Sequence, residues 1–333
     1  MAKITILGSG GFGTALAVAA YSSGNEVTLW SAFEEELEGI RKDGENKRLL
    51  PGVDVPGEIT LSSDITRAAN SDMVIFAVPS FAVREVAQKA APYIKGGIVL
   101  VNVAKGFEQQ SLKRLSTVIA EEIPGRTIVI LSGPGHAEEI ATGVPTTLVA
   151  ASIDKPSALY VQKTLSGDTL RIYGNPDVAG VEIGGALKNV IALCAGICDG
   201  YRLGDNTKAA LMTRGIAEIE RLGVAMGGNG KTFAGLTGIG DLIVTCMSGH
   251  SRNRRAGILI GEGISPEDAV KKVGTVEGYK AALIAHELAG RHGVSMPITE
   301  QLYGILYKGT AVPNALQNLM SRSQKDETID SWI

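Results

Sequence analysis

The sequence predicts an α/β unit built on a doubly wound, parallel-type sheet over residues 1–178, followed by an all-α unit over residues 179–333. Short apolar runs alternate with amphipathic helical stretches up to about residue 175, and strand signals then stop for the rest of the chain. In addition, 333 residues exceed the size at which one hydrophobic core usually stops growing. Two structural units are therefore favoured over one.

The predicted strands are apolar on both faces, which is typical of βαβ units in a parallel sheet covered by helices on both sides. These strands are Ile4–Gly8, Val27–Trp30, Met73–Val78, Ile98–Val103, Ile128–Leu131, Thr147–Ala151 and Leu170–Tyr173. The helices predicted between them are Thr14–Ser23, Phe81–Tyr93, Ser111–Glu122 and Pro156–Leu165. After Pro176 only helical patterns follow, separated by glycine-rich breaks.

Composition argues against several classes of function. A formal net charge of −3 without an extended basic block speaks against nucleic acid or an anionic membrane as a partner. The three cysteines, Cys194, Cys198 and Cys246, argue against a disulfide-linked secreted protein and favour the cytoplasm. Residues 181–198 are apolar but contain charged side chains, so no membrane span is expected. The histidines lack metal-ligand spacing, so no metal site is expected.

A glycine-rich turn, Gly8-Ser9-Gly10-Gly11-Phe12-Gly13, follows the first strand directly and begins an alanine-rich helix. Glycines in a G-x-G-x-x-G pattern permit a sharp turn, the approach of a pyrophosphate to the backbone, and tight helix packing. The N–H groups and positive dipole of the helix N-terminus favour the phosphates. We therefore predict a Rossmann-like dinucleotide site.

The end of the second strand, Leu29-Trp30-Ser31-Ala32, lacks the carboxylate that usually binds the ribose hydroxyls of NAD. The first carboxylate, Glu34, comes late, and no arginine follows at once to bind a 2′-phosphate. NADP is therefore at least as well supported as NAD, and the choice between them stays open.

Lys188 stands in the middle of a helical pattern, residues 180–199, that is apolar almost all round. Gly185 and Ala192 share its stripe, and such small side chains would let a ligand approach the lysine. Burial lowers the pKa of a lysine toward the range where it donates and accepts protons at neutral pH. We predict Lys188 as the catalytic acid and base; a lysine that reaches solvent or pairs with a structural carboxylate is the alternative.

Two later motifs supply a carboxylate and an anion site. Asp241 and Thr245 lie four residues apart, on one face of a helix, and Lys188 is the obvious partner of Asp241; an exposed N-cap aspartate is the alternative. The segment Ser251-Arg252-Asn253 stands at a predicted helix start, where a guanidinium and free N–H groups suit a phosphate monoester. A solvated face or an RNA contact is the alternative for this segment.

Two segments follow predicted strands at the edge where open α/β sheets bind ligands. Lys105 comes after Ile98–Val103 and is a candidate second cation in a cleft between the units. The segment Gly133-Pro134-Gly135-His136-Ala137 follows Ile128–Leu131. His136 there could titrate, although a loop histidine without a role is the equal alternative.

Together these motifs resemble the bacterial NAD(P)-dependent sn-glycerol-3-phosphate dehydrogenases. The resemblance runs from Gly8–Gly13 to Met296–Glu300, and it is most specific over residues 184–192, 240–242 and 251–255. It implies hydride transfer between NAD or NADP and a small phosphorylated substrate, with glycerol 3-phosphate supplied to glycerophospholipid synthesis. It also implies a cytoplasmic homodimer.

The resemblance further implies a catalytic role for Lys188, with Asp241 and Thr245 beside it. The predicted substrate positions are Lys105, Gly133, Gly135, Lys188, Asn189, Asp241, Ser251, Arg252 and Asn253. The predicted cofactor positions are Gly8, Gly10, Gly11, Phe12, Gly13, Ser31, Lys105, Ala137, Arg252, Thr275 and Glu277.

The chain departs from the family pattern at Gly135-His136, where a hydroxyl residue and a phenylalanine are usual. A side-chain hydrogen bond from position 135 to the substrate is therefore lost, and Gly133 can contribute only its backbone. The loop over residues 46–51 also lacks the aromatic residue often found before its Leu-Pro. The alternative functions are a β-hydroxyacid or ketopantoate-type dehydrogenase, and a sensor of the NAD(P)H ratio without chemistry.

Overall fold

The computed structural model describes residues 1–324, so residues 325–333 of the predicted all-α unit lie outside the described residues. Eight strands form one sheet in the order β3-β2-β1-β4-β5-β6-β7-β8. The strands are β1 (Lys3–Leu7), β2 (Glu26–Trp30), β3 (Thr60–Ser62), β4 (Met73–Phe76), β5 (Val99–Asn102), β6 (Ile128–Ser132), β7 (Thr146–Ala151) and β8 (Leu170–Asn175). All seven predicted strands are present, which confirms the α/β class of the first unit.

The sheet differs from the prediction in two respects. β3 is an additional edge strand of three residues, too short to give a periodic signal. β7 runs antiparallel to β6, whereas the other neighbouring pairs are parallel. The segment between β6 and β7 packs its short helix on the first helix of the chain instead of crossing the sheet. β7 therefore starts at the end of the sheet where β6 finishes.

Helices cover both faces of the sheet, as expected for a doubly wound fold. They are α1 (Gly11–Ser22), α2 (Glu34–Asp43), α3 (Val83–Ala90), α4 (Leu115–Glu122), α5 (Ala137–Ala141) and α6 (Lys155–Leu165). α2 and α5 were not predicted from the sequence, and the predicted helix over Phe81–Tyr93 is divided into α3 and a flanking 3₁₀ turn on each side. The predictions of α1 and α6 are confirmed. α1 begins three residues earlier than predicted, and the other three helix ends agree with the prediction to within one residue.

From Val178 to Met320 the described chain is helical. The helices are α7 (Val178–Gly200), α8 (Asp205–Ala225), α9 (Gly230–Phe233), α10 (Asp241–Met247), α11 (Arg252–Gly261), α12 (Pro266–Val273), α13 (Glu277–His292), α14 (Pro297–Lys308) and α15 (Val312–Met320). α7 is long and apolar enough to cross a membrane, but its most apolar window is entirely buried inside the protein. It has the position of a core helix.

α7 also carries the junction between the two units. β8 ends at Asn175, Val181 packs in the core beneath the sheet, and Ile183 already belongs to the helical core. The strand-rich and helical parts thus meet within the first turns of α7. A boundary between residues 178 and 179 stays our proposal.

Glycines set how closely α11 approaches the middle of α7. A Cβ atom on Gly257 would lie 2.1 Å from the carbonyl oxygen of Leu193, and one on Gly196 would lie 2.0 Å from that of Arg254. Only glycine permits this backbone contact. The close packing fixes the N-terminus of α11, with Asn253, against the helix that carries Lys188.

Candidate active site

Lys188 is buried in the middle of α7 with 6% of its surface exposed, and its side chain has two partners. Its Nζ donates to the Oδ1 atom of Asp241 and, over 2.8 Å, to the Oγ1 atom of Thr245. Thr245 in turn donates to the backbone carbonyl of Asp241 over 2.6 Å. The predicted pairing is therefore present, and a lysine that reaches out to solvent is excluded.

Asp241 is fully buried and binds a second lysine with its other oxygen. The Nζ atom of Lys105, at the carboxyl end of β5, donates to Asp241 Oδ2 over 2.6 Å and to the carbonyl of Gly133 over 3.0 Å. One carboxylate thus joins a lysine of the sheet unit to a lysine of the helical unit. The prediction of Lys105 as a second cation in the cleft is consistent with this geometry.

A π-helical turn, Leu236–Gly240, precedes α10 and brings Asp241 to this position. α7 packs directly against the turn, since a Cβ atom on Gly184 would lie 2.7 Å from the carbonyl of Thr237. π-helical turns are rare and occur frequently at functional sites. Asp241 is the first residue of α10 but points to the two lysines, so the exposed N-cap alternative is wrong.

The surroundings of Lys188 lower its pKa, so that its protonation state can change near neutral pH. Burial lowers the pKa of Lys188 to about 7, although the adjacent Asp241 carboxylate acts in the opposite direction, and the positive charge of Lys105 adds to the lowering. A lysine in this range can both donate and accept a proton under physiological conditions. This is the property that acid and base catalysis requires.

α11 begins at Arg252, so the segment Ser251-Arg252-Asn253 forms a helix start as predicted. Ser251 is its N-cap and accepts from the backbone N–H of Arg254 over 3.2 Å, while Arg252 is exposed at the first helical position. Arg254 is engaged elsewhere, because its Nε donates to Asp199 over 2.7 Å. Arg252, exposed at the first helical position, therefore lies where a phosphate at the helix N-terminus would be bound.

Asn189 and Asn253 lie side by side between α7 and α11. The amide nitrogen of Asn253 donates to the Asn189 side-chain oxygen over 2.9 Å, and the Asn253 oxygen accepts from the backbone N–H of Gly278 over 2.8 Å. These contacts connect α7, α11 and α13. A substrate contact for either asparagine stays a prediction.

The glycine-rich turn has the geometry that a dinucleotide pyrophosphate needs. A Cβ atom on Gly13 would lie 2.0 Å from the carbonyl of Gly8, so the helix packs on the strand as the motif predicts. A Cβ atom on Gly10 would meet nothing within 4 Å, and α1 begins there without a side-chain cap. The open side of the turn and the uncapped N–H groups of α1 fit NAD or NADP phosphates.

Two further predicted cofactor positions, Ala137 and Glu277, lie beside this turn and at a contact between the two units, respectively. Ala137, the first residue of α5, lies against Gly11. Glu277, the first residue of α13, accepts from Ser80 of the sheet unit over 3.1 Å, and burial raises its pKa. Thr275 is exposed in the loop before α13, and a cofactor contact for it stays a prediction.

Sequence reasoning missed Ser132, and it left His136 undecided. Within residues 1–324, the Oγ atom of Ser132 and the Nε2 atom of His136 are the buried side-chain polar atoms without a hydrogen-bond partner. Ser132 ends β6 next to Gly185 and Lys105, and burial together with the charge of Lys188 lowers the pKa of His136. The position of Ser132 at a strand's carboxyl end was the available signal.

A side chain at position 135 would be in tight contact with two apolar side chains. A Cβ atom on Gly135 would lie 3.0 Å from the Cδ1 atom of Ile140 and 3.1 Å from the Cδ2 atom of Leu148. A larger residue at position 135 would therefore require the side chains of Ile140 and Leu148 to shift slightly. The structure also brings no three His, Cys, Asp or Glu side chains of the described residues together as a metal site would require.

Comparison with known proteins agrees with this geometry. Residues 3–158 match the family model described as the N-terminus of NAD-dependent glycerol-3-phosphate dehydrogenase, and residues 177–317 match the model of its C-terminus. The chain belongs to the NAD-dependent glycerol-3-phosphate dehydrogenase family. The resemblance inferred from the motifs is thereby confirmed.

Relatives in this family are similar over nearly their whole length. The glycerol-3-phosphate dehydrogenase [NAD(P)+] of Moorella thermoacetica is 52% identical over 327 residues, which are 98% of this chain and 97% of the relative. A crystal structure of glycerol-3-phosphate dehydrogenase from Coxiella burnetii has a TM-score of 0.92 at 35% identity, covering 96% of this chain and 99% of that one. The cofactor class, NAD or NADP, follows from family membership.

A ketopantoate reductase from Ralstonia eutropha shares the fold alone. Its structure has a TM-score of 0.61 at 16% identity and covers 91% of this chain and 97% of that chain. The alternative of a ketopantoate-type dehydrogenase has this general architecture in its favour, but the glycerol-3-phosphate dehydrogenase family matches both units of the chain.

Proposed function

We propose that this protein catalyses the reversible interconversion of dihydroxyacetone phosphate and sn-glycerol 3-phosphate with NAD(H) or NADP(H). The observation that supports this most strongly is the buried Lys188, held by Asp241 and Thr245 on a helix to which the N-terminus of α11 is hydrogen-bonded. A proton donor and an anion-binding helix start on two packed helices suit a phosphorylated ketone. When bound, the nicotinamide supplies or accepts the hydride.

Lys188 is the proposed proton donor and acceptor. In reduction, its ammonium gives a proton to the carbonyl oxygen of the substrate as the central carbon receives the hydride, which yields the alcohol. In oxidation, the neutral amine takes the hydroxyl proton as the hydride leaves the carbon. Proton transfer of this kind typically contributes about 10²–10⁴-fold to the rate.

Asp241 and Lys105 position the lysine and set its charge. Asp241 holds both ammonium groups, so it fixes the direction of the Lys188 Nζ atom, while the positive charge of Lys105 favours the neutral form of Lys188. The Lys105 contact with the Gly133 carbonyl places this second ammonium at the end of β6. There it can stabilise negative charge that develops on the substrate oxygen.

Arg252 and the N-terminus of α11 are the proposed phosphate site. A guanidinium binds phosphate oxygens in a bidentate manner, and the first N–H groups of a helix favour an anion. Holding the phosphate fixes the distance of the reacting carbon from the lysine, and such orientation lowers a barrier by several kcal/mol. Supply of glycerol 3-phosphate to phospholipid synthesis, a homodimeric state and a cytoplasmic location complete the proposal on the basis of the family resemblance.

A spectrophotometric assay tests this function. We expect purified protein to oxidise NADH or NADPH when dihydroxyacetone phosphate is added, and to leave both unchanged with ketopantoate or other unphosphorylated keto acids. Turnover of ketopantoate in preference to dihydroxyacetone phosphate would favour the alternative function. Absence of turnover with every substrate, together with retained dinucleotide binding, would favour the sensor.

A further inference from the structure

A carboxylate that comes late in the sequence lies at the cofactor end of the sheet. Glu36, in the first turn of α2, accepts through one oxygen from Ser9 of the glycine-rich turn over 2.8 Å and from Ser31 over 2.9 Å. Ser31 directly follows β2, and Ser9 belongs to the turn between β1 and α1. The Glu36 carboxylate therefore connects the phosphate-binding turn with the end of β2.

This is the place from which dinucleotide folds contact the adenosine ribose. In such folds an acidic residue about 20 residues after the glycine motif accepts hydrogen bonds from the ribose hydroxyls of NAD. The β2 end of this chain has no acidic residue, but the first turn of α2 returns Glu36 to the same position. An ionised carboxylate has about four acceptor positions, and Ser9, Ser31 and Arg48 occupy three of them, so one remains for a ribose hydroxyl.

The surroundings of Glu36 are unfavourable for an additional phosphate. A surface depression beside it is lined by Glu35, Asp43 and Glu45 as well as by Lys47 and Arg48. Both cations already have carboxylate partners, since Arg48 pairs with Glu36 and Lys47 with Asp43 over 3.3 Å. A 2′-phosphate would thus meet excess negative charge at this rim.

We propose that Glu36 determines the cofactor specificity of this protein and that NAD(H) is bound in preference to NADP(H). The inference rests on the proposed function only in assuming that the glycine-rich turn binds a nicotinamide dinucleotide. Glu36 accepts a hydrogen bond from the ribose 2′-hydroxyl and repels the 2′-phosphate that replaces it in NADP. Arg48 is held by Glu36 and becomes available to a phosphate when the carboxylate is neutralised.

Fluorescence titration of the purified protein with NADH and NADPH measures both dissociation constants without turnover. We expect NADH to bind at least about tenfold more tightly, the size of one hydrogen bond to a charged group. Glu36→Gln keeps an acceptor for Ser9 and Ser31 but removes the charge, so it should weaken NADH binding and strengthen NADPH binding. In the double variant E36Q/R48A the gain in NADPH affinity should disappear, because Arg48 supplies it.

Glu38→Gln is the matched control, because Glu38 is an exposed carboxylate of the same helix and does not line the depression. It should change the ratio of the two constants by less than about twofold, since an exposed charge is screened by salt. Equal affinities of the native protein for NADH and NADPH, or equal effects of E36Q and E38Q on the ratio, would overturn the proposal. Thermal unfolding of each variant verifies that it is folded.

The outcomes also separate this inference from the proposed function. If both dinucleotides bind equally and dihydroxyacetone phosphate is reduced, only the specificity inference fails. If NADH is preferred through Glu36 but no dihydroxyacetone phosphate is reduced, only the proposed function fails. If neither dinucleotide binds, both are wrong.

Discussion

Helix α7 carries two buried charged side chains less than two turns apart, and their surroundings differ in a way that separates structure from function. Glu182 accepts from the backbone N–H of Ser116 over 2.8 Å, from the Ser116 hydroxyl, and from Arg114 over 2.8 Å. All of its partners come from the start of α4, and both carboxylate oxygens accept hydrogen bonds. Glu182 thereby joins the helical unit to the sheet unit.

The region around Lys188 is different, because it concentrates charge without satisfying every polar group nearby. Asp241 holds two ammonium groups, and Ser132, which is close to Lys105, has a buried hydroxyl without a partner. Leaving such groups unpaired costs free energy, so a site that does so within a packed core is expected to have a ligand. We call the Glu182 region the saturated site, because both of its carboxylate oxygens accept hydrogen bonds, and the Lys188 region the unsaturated site, because a buried hydroxyl there has no partner. We assign a structural role to the saturated site and a functional role to the unsaturated site.

The largest expected effect comes from removing the ammonium of the unsaturated site. Lys188→Met should lower kcat by about 10²–10⁴-fold, because the proton donor is lost. The fold should persist, since Lys105 still neutralises Asp241. Steady-state kinetics and thermal unfolding measure the two quantities.

Lys208→Met is the matched control for this variant. Lys208 also forms an ion pair with an aspartate of α7, Asp199, which lies about three helical turns beyond Lys188. Its removal should leave kcat near that of the native protein. Equal loss of kcat in both variants would show that ion pairs of α7 act through the fold and would remove the distinction between the two regions.

The next largest effect should appear at the start of α11. Arg252→Ala should raise KM for dihydroxyacetone phosphate by roughly 10–100-fold, the loss expected for a charged hydrogen bond, with a much smaller change in cofactor affinity. Arg254→Ala should leave KM unchanged, because Arg254 is already paired with Asp199. An equal rise of KM and of the cofactor dissociation constant on replacing Arg252 would contradict its assignment to the phosphate.

The saturated site should show the opposite pattern. Glu182→Ala should lower the free energy of unfolding by about 3 kcal/mol, at the lower end for broken buried pairs because Arg114 is partly exposed. The kcat of the folded fraction should stay unchanged. Urea unfolding followed by circular dichroism gives the first quantity, and a tenfold loss of kcat in the folded variant would contradict the structural assignment of Glu182.

Local sequence patterns predicted most of this architecture but not its long-range contacts. Apolar runs located the strands, and the glycine motif, Lys188 and Asp241 identified the centre of the site. The antiparallel direction of β7 depends on the packing of α5 against α1. The proposed role of Glu36 in cofactor specificity depends on the position of α2, which brings Glu36 into contact with Ser9 and Ser31. Neither is encoded in a periodic pattern, because both are settled only when distant elements pack together.

The pH dependence of kcat in both directions tests the central role of Lys188 most directly. Burial lowers the pKa of this lysine to about 7, and reduction requires its protonated form whereas oxidation requires its neutral form. The rate of dihydroxyacetone phosphate reduction should therefore fall as the pH rises through this range, and the rate of glycerol 3-phosphate oxidation should rise. Profiles that change in the same direction, or opposite profiles that persist in Lys188→Met, would contradict the account.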